Sequence, residues 1–229
     1  MKEALVLMAE APIQGQVKTQ LFDLLSPEDA TELYVAFLND TVRAMEEIYD
    51  EREELSLVLC YRPEGAEEAF EQVEREGSLM LLQRGQTLTE RIRNCFTDLF
   101  KAGFEAVVIA GADTPTLPAD AFYEALEQLN ENTNRVVIGP TDKGSVYLIG
   151  LHHTSAKLLD ELHLEGSDAI AQISQQVQTF GRELSLLPEW YSVNNPDEFE
   201  RLKADVSSNK TEARRTQKFF KMLAKRTAT

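Results

Sequence analysis

The stretch Ala106-Val107-Val108-Ile109-Ala110-Gly111-Ala112-Asp113-Thr114-Pro115-Thr116-Leu117-Pro118 carries the reading of the fold. Its first five residues are apolar, three of them β-branched, as in a strand covered by helices on both faces. Glycine and proline then break the run, and one carboxylate, Asp113, is left just past the strand's end. From Pro118 onward Phe122, Ala125, Leu126 and Leu129 recur at helical spacing, so a strand passes through a short loop into a helix. In an open parallel sheet such a loop faces the ligand crevice, where a carboxylate can hold a divalent cation against phosphate oxygens. The other use of the same residue is an Asx turn or a helix-entry cap.

The same alternation recurs along the chain. Candidate strands run from Ala4 to Met8, Leu55 to Tyr61, Leu79 to Gln83, Arg135 to Gly139, Ser145 to Leu151 and Glu183 to Leu187. Between them, helices start at recognisable signals: Ser26 before Pro27, and Thr87 with Glu90 at capping-box spacing. Strands alternating with helices predict a layered α/β domain with a mostly parallel sheet. The link Gly139-Pro140-Thr141-Asp142-Lys143-Gly144-Ser145 is too short for a helical crossover, so one strand is expected to run antiparallel.

A chain of 229 residues fits one domain of generous size with a short appendage. We place the domain at residues 1–205 and a basic, helix-compatible tail at 206–229. From Asp205 onward there are seven basic and two acidic side chains, a local charge of +5 that leaves −21 on the rest. The tail opens on Ser207, Ser208 and Asn209 and then sets Phe219, Met222 and Leu223 at helical spacing, as a frayed or docked terminal helix or an amphipathic partner element would. The formal charge of −16 repels a nucleic-acid backbone, so no DNA or RNA partner is expected. Cys60 and Cys95 lack CxxC spacing and sit in apolar surroundings, which fits a reducing compartment. The apolar run Ala4 to Ala9 is too short for a membrane span or a signal core, and a cytoplasmic protein is expected.

The loop leaving the first strand reads Ala11-Pro12-Ile13-Gln14-Gly15-Gln16-Val17-Lys18-Thr19. It is neither GxGxxG nor a Walker loop, and by spacing alone an ordinary surface connection is a better reading than a phosphate cradle. Taken with Gly111, Asp113, Pro115, Leu117 and Pro118, however, it resembles the bacterial DUF2064 proteins, glycosyltransferase-like members of the GT-A nucleotide-diphospho-sugar transferase superfamily. The resemblance covers about residues 3 to 202. It includes the helix around Tyr34, Phe37, Asp40 and Thr41, then Leu88 to Arg91, Gly139-Pro140, Gly144, Tyr147 to Leu151, and Val193 with Pro196-Asp197-Glu198.

The resemblance implies a Rossmann-like GT-A three-layer sandwich and a nucleotide-sugar pocket at the carboxyl edge of its sheet. It implies that Ala11, Pro12, Gly15, Lys18 and Thr19 meet the nucleotide phosphates, and that Asp113 and Lys18 carry the transfer. Asp113, with Asn194 where the family usually has aspartate, would hold Mg²⁺ or Mn²⁺. Gly139, Asp142, Lys143, Gly144 and Tyr147 would shape the sugar or acceptor pocket, with Asp142 the nearest candidate base. The implied function is glycosyl transfer from a nucleoside diphosphate sugar to an unknown acceptor.

The chain also departs from the family pattern. Glu10, Gln16 and Gln20 stand where members usually carry lysine, lysine and arginine, and Lys143 and Ser145 replace an aspartate and a glycine. The family's tryptophan-serine-threonine stretch gives way to Leu164, Glu165, Gly166, Ser167 and Asp168. These departures raise a second reading, a binding or regulatory module that kept the fold without turnover. Nucleotidyl transfer is a third, and it would need more positive charge near the first loop. His152 and His153 are adjacent, so a continuous strand would send them to opposite faces; with His163 they show no metal spacing and read as surface or structural residues. Trp190 and Tyr191 read as packing at the sheet edge rather than as a base-stacking platform.

Overall fold

Residues 1–49, 52–71, 73, 78–164, 166, 168–208 and 211–227 are described by a computed structural model. Glu165, Ser167 and Asn209 lie outside the described residues. Among the described residues seven strands form one sheet: β1 Glu3–Glu10, β2 Leu55–Arg62, β3 Leu79–Leu82, β4 Ala106–Gly111, β5 Arg135–Pro140, β6 Val146–His152 and β7 Glu183–Leu186. Their order is β3-β2-β1-β4-β6-β5-β7, and all neighbours are parallel except at β6, which runs antiparallel to both β4 and β5. The turn between β5 and β6 closes because Gly144 adopts φ 81° while the Thr141 N–H donates to the Ser145 carbonyl at 2.7 Å. A link of that length can only return the chain antiparallel, as expected.

Among the described residues six α-helices cover the sheet: α1 Pro27–Tyr49, α2 Leu88–Lys101, α3 Ala119–Glu131, α4 Ala169–Thr179, α5 Pro196–Ser207 and α6 Arg214–Thr227. Strand β1 shows how two layers arise from a period of two. Leu5 and Leu7 pack with Leu33 and Phe37 of α1, Phe122 of α3, Leu202 of α5 and Phe219 of α6. Ala4, Val6 and Met8 face the other way, onto Phe96 of α2 and Ile173 of α4. The result is a three-layer α/β sandwich.

Helix α6 docks through a buried acid. The Asp40 carboxylate on α1 accepts the backbone N–H groups of Arg215 and Thr216, at 2.9 and 2.8 Å, at the start of α6. At the far end Arg226 pairs with Asp29 and Glu32 of α1. Arg226 thus fastens the end of this helix to α1, while Phe219 and Phe220 enter the core. Among the described residues no helix is long and apolar enough to cross a membrane.

Strand β6 ends at His152, and His153 begins a 3-10 turn running to Asp160. This corrects the expectation that the two imidazoles point to opposite faces: the change of backbone conformation brings their rings to 4.3 Å, centroid to centroid. His152 is buried and Nδ1 accepts the Thr154 N–H at 3.4 Å.

Candidate active site

Because β1 and β4 are parallel neighbours with Met8 opposite Gly111, their outgoing loops leave the sheet at the same level. This is the carboxyl edge, where open α/β sheets bind ligands. The first loop turns twice, with Gly15 at φ 80° and Lys18 itself left-handed at φ 51°, a conformation rare for a side chain larger than glycine. That strained turn aims Lys18 inward. Its side chain is 3 % exposed, and Nζ donates to Asp113 Oδ1 at 2.6 Å and to the Val193 carbonyl at 2.8 Å. The rings of Phe37 and Tyr34 lie 5.2 and 5.8 Å from the ammonium. One cation thus ties together three loops: those after β1 and β4, and the one leading into α5.

The β4 loop is braced from behind. The Leu117 N–H donates to the Thr114 carbonyl, the Val193 N–H to the Asp113 carbonyl, and Trp190 Nε1 to Thr116 Oγ1. Trp190 also lies alongside Thr141 in an isolated parallel bridge, and Tyr191 is buried with its hydroxyl donating to Asp205. Both aromatic residues pack the edge of the sheet.

Above the Lys18–Asp113 pair lies a cavity of about 560 Å³. Asp113, Lys18, Thr19, Tyr147 and Asn194 reach its wall, whereas Ala11, Pro12 and Gly15 do not. Ala11 is instead core, and Gly15 serves the turn. In the β5–β6 strip, Ser145 and Val146 join Tyr147 at the wall. Gly139 lies beneath Tyr147, where an added Cβ would come within 2.4 Å of the ring. Asp142 pairs with Arg201 and Lys143 with Glu198, so both charges are turned to the surface of α5 rather than into the cavity. Gly144 supplies the hairpin turn.

Other wall residues carried no role in the sequence reading. Tyr34 and Arg91 sit in segments already noted for their resemblance, but helical phase alone does not say which of their neighbours reach a cleft. Gln83 closes the wall beyond β3 while its amide donates to the Ala9 and Cys60 carbonyls. Tyr34 accepts the Glu10 N–H at 3.0 Å, and burial, with the charge of Asp113 adding to it, pushes its phenol far above the ordinary range. Glu10 pairs with Arg62 at the mouth of the cavity. A second cavity of about 550 Å³ lies between α1 and α6, lined by Glu28, Glu32, Val35, Arg215, Lys218 and Met222, with none of the converging loop groups of the first.

Among the described residues no cluster of three or more His, Cys, Asp or Glu side chains could cage a metal. Besides Glu10, which is paired with Arg62, the cleft wall offers the Asp113 carboxylate, 41 % exposed with Oδ1 engaged by Lys18, and the amide of Asn194, whose Nδ2 donates to Ser192 Oγ. Two hard oxygen donors fit a cation of the Mg²⁺ or Mn²⁺ type, which commonly takes its remaining ligands from phosphate and water.

The family model described as "Uncharacterized protein conserved in bacteria (DUF2064)" matches residues 45–164, just over half of the chain. The chain belongs to this family. The match includes Asp113 and the β5–β6 strip, while the first loop and Asn194 fall outside its span. No curated protein matches the chain. Among solved structures, a candidate nucleotide-diphospho-sugar transferase from Desulfovibrio desulfuricans G20 is 22% identical with a TM-score of 0.79, covering 96% of this chain and 97% of that one. A CMP:2-keto-3-deoxy-manno-octonic acid synthetase complexed with CTP is 10% identical with a TM-score of 0.53, over 91% of this chain and 100% of that one. Rv0371C of Mycobacterium tuberculosis H37Rv, in complex with manganese, is 15% identical with a TM-score of 0.51, over 88% of this chain and 97% of that one. At these identities the likeness establishes that this DUF2064 chain shares their fold.

Proposed function

We propose that the cleft binds a nucleoside diphosphate sugar and that the protein transfers the glycosyl group to an acceptor. The observation that carries this reading is the convergence of two loops, from adjacent parallel strands, on a buried lysine and a half-exposed aspartate at the carboxyl edge of the sheet. The CTP-bound and manganese-bound neighbours of the same fold support it. Asp113 and Asn194 would hold Mg²⁺ or Mn²⁺, which when bound neutralises charge on a diphosphate leaving group. Lys18 keeps Asp113 in place and adds a fixed positive charge beneath the phosphates, so that little reorganisation is needed as the leaving group develops. Gln83, Leu88 and Arg91 wall the side toward β3, and Ser145 and Tyr147 wall the opposite side, where the sugar would lie. Such a site works by positioning and electrostatics.

A second reading, a nucleotide-binding module without turnover, is favoured by one specific feature: Lys18 in the cleft and Arg62 beside Glu10 form ion pairs with the chain's own carboxylates, and Lys143 is held by Glu198 outside the cavity. A thermal-shift panel of nucleoside triphosphates and nucleotide sugars, with and without Mn²⁺, tests both readings on wild type and Asp113→Asn, each against its own unliganded baseline. A ligand at a hundredfold excess over Kd stabilises by about 2.7 kcal/mol. A nucleotide-sugar shift that needs Mn²⁺ and disappears in Asp113→Asn, with sugar release or transfer on incubation, is the expected result. Binding without turnover supports the module, triphosphate-selective turnover supports nucleotidyl transfer, and no shift for any nucleotide overturns all three.

A further inference from the structure

We propose that Tyr34 is a ligand-binding residue whose hydroxyl donates a hydrogen bond to a phosphate oxygen of the nucleotide in the cleft. The inference rests on the nucleotide-binding reading above and names a donor that the reading does not include.

Tyr34 projects from the first third of α1 into a position that is 95 % buried in the fold, yet it reaches the wall of the cleft beneath the end of β1. The Glu10 N–H donates to its oxygen at 3.0 Å, which occupies one lone pair and fixes where the hydroxyl sits. A phenol carries a single proton to donate, and buried donors are rarely left without an acceptor. Among the described residues nothing accepts this one. Across the ring face lies the Lys18 ammonium, itself a donor, 5.8 Å from the ring centroid and engaged with Oδ1 of Asp113. A phenol and an ammonium therefore line the same cavity, and among the described residues the phenol makes no hydrogen bond as a donor. That is a donor set for an oxyanion.

The chemistry also distinguishes the two donors. Lys18 already donates to Asp113 and to the Val193 carbonyl, so a phosphate that reached it would compete with a carboxylate in direct contact. The Tyr34 hydroxyl can donate without any ion pair opening. A neutral donor of this kind gives the cleft a phosphate contact in a loop where Glu10, Gln16 and Gln20 supply no positive charge. Burial keeps the proton on the phenol across the working pH range.

Tyr34→Phe keeps the ring among Leu33 and Phe37 and removes only the hydroxyl. Calorimetric titration of wild type and variant would use whichever of UDP, GDP, CDP and ADP binds wild type most tightly, its parent nucleoside, and inorganic pyrophosphate. The expected result is an affinity loss of about tenfold or more for the diphosphate and for pyrophosphate, the loss typical of a hydrogen bond to a charged acceptor, with nucleoside binding changed less than about twofold. Unchanged diphosphate affinity, or an equal loss for the nucleoside, overturns the proposal while leaving the nucleotide reading in place. If wild type binds none of the diphosphates, both fall together. Should Tyr34→Phe not fold, or the nucleoside bind too weakly to measure, a crystal of wild type with the same diphosphate decides. Tyr34 Oη within about 3 Å of a phosphate oxygen supports the proposal, and a longer separation overturns it.

Discussion

Lys18 and Asp113 form an asymmetric pair, one side chain 3 % exposed and the other 41 %. Removing the aspartate leaves a buried ammonium with the Val193 carbonyl and two aromatic faces, whereas removing the lysine leaves a carboxylate that water can reach. Breaking a buried pair from the side that strands a charge costs about 3 kcal/mol or more, and leaving an exposed charge costs far less. Asp113→Ala is therefore expected to lose about 3 kcal/mol in urea unfolding, and Lys18→Met, which refills the stem's volume, about 1 kcal/mol. Equal losses would mean that the pair contributes little beyond side-chain packing. The family resemblance singled out both residues as candidates, while their place after apolar strands left structural uses open; their direct contact was not legible, because they are separated by 95 positions.

At the scale of elements, the junction between β6 and the following 3-10 turn depends on a neutral imidazole. His152 Nδ1 caps that turn, 3.4 Å from Thr154 N and 3.0 Å from Thr154 Oγ1, from a buried position that disfavours a charged ring. Burial first, and the adjacent His153 second, hold its pKa below the ordinary histidine value. Since the folded pKa lies below the unfolded one, near 6.5, the contribution to stability is complete above about pH 6.5 and is lost as pH falls through the folded value. Wild type should lose stability between about pH 7 and pH 5, and His152→Asn, which can still accept the N–H without titrating, should flatten that slope; urea midpoints across the range measure it. Strand positions and the Thr87–Glu90 capping box, which forms in full, were readable because they rest on local periodicity and on contacts three residues apart. The rotation that brings the His153 ring against that of His152 was not, since it depends on where the strand stops.

The whole molecule carries a formal charge of −16, and near the C-terminus Arg226 is paired with Asp29 and Glu32 of α1. Self-repulsion of this kind is screened as the Debye length shortens from about 30 Å at 0.01 M to about 8 Å at 0.15 M ionic strength. The Tm is expected to rise over that interval; a fall would mean that local ion pairs outweigh the net charge. Pattern and turn chemistry in the sequence by themselves determined the α/β class, the seven strands and the single reversed one. A period of two or of 3.6, and a link too short for a crossover, act over distances the chain covers in a few residues. Tertiary structure alone decided that Lys18 would rest on Asp113 and that Lys143 and Asp142 would turn away toward α5. It also decided that Asp40 would receive α6 and that Tyr34 would reach the cleft from beneath. Each of those outcomes depends on which distant side chain lies within hydrogen-bonding reach, and that is set by packing the layers together.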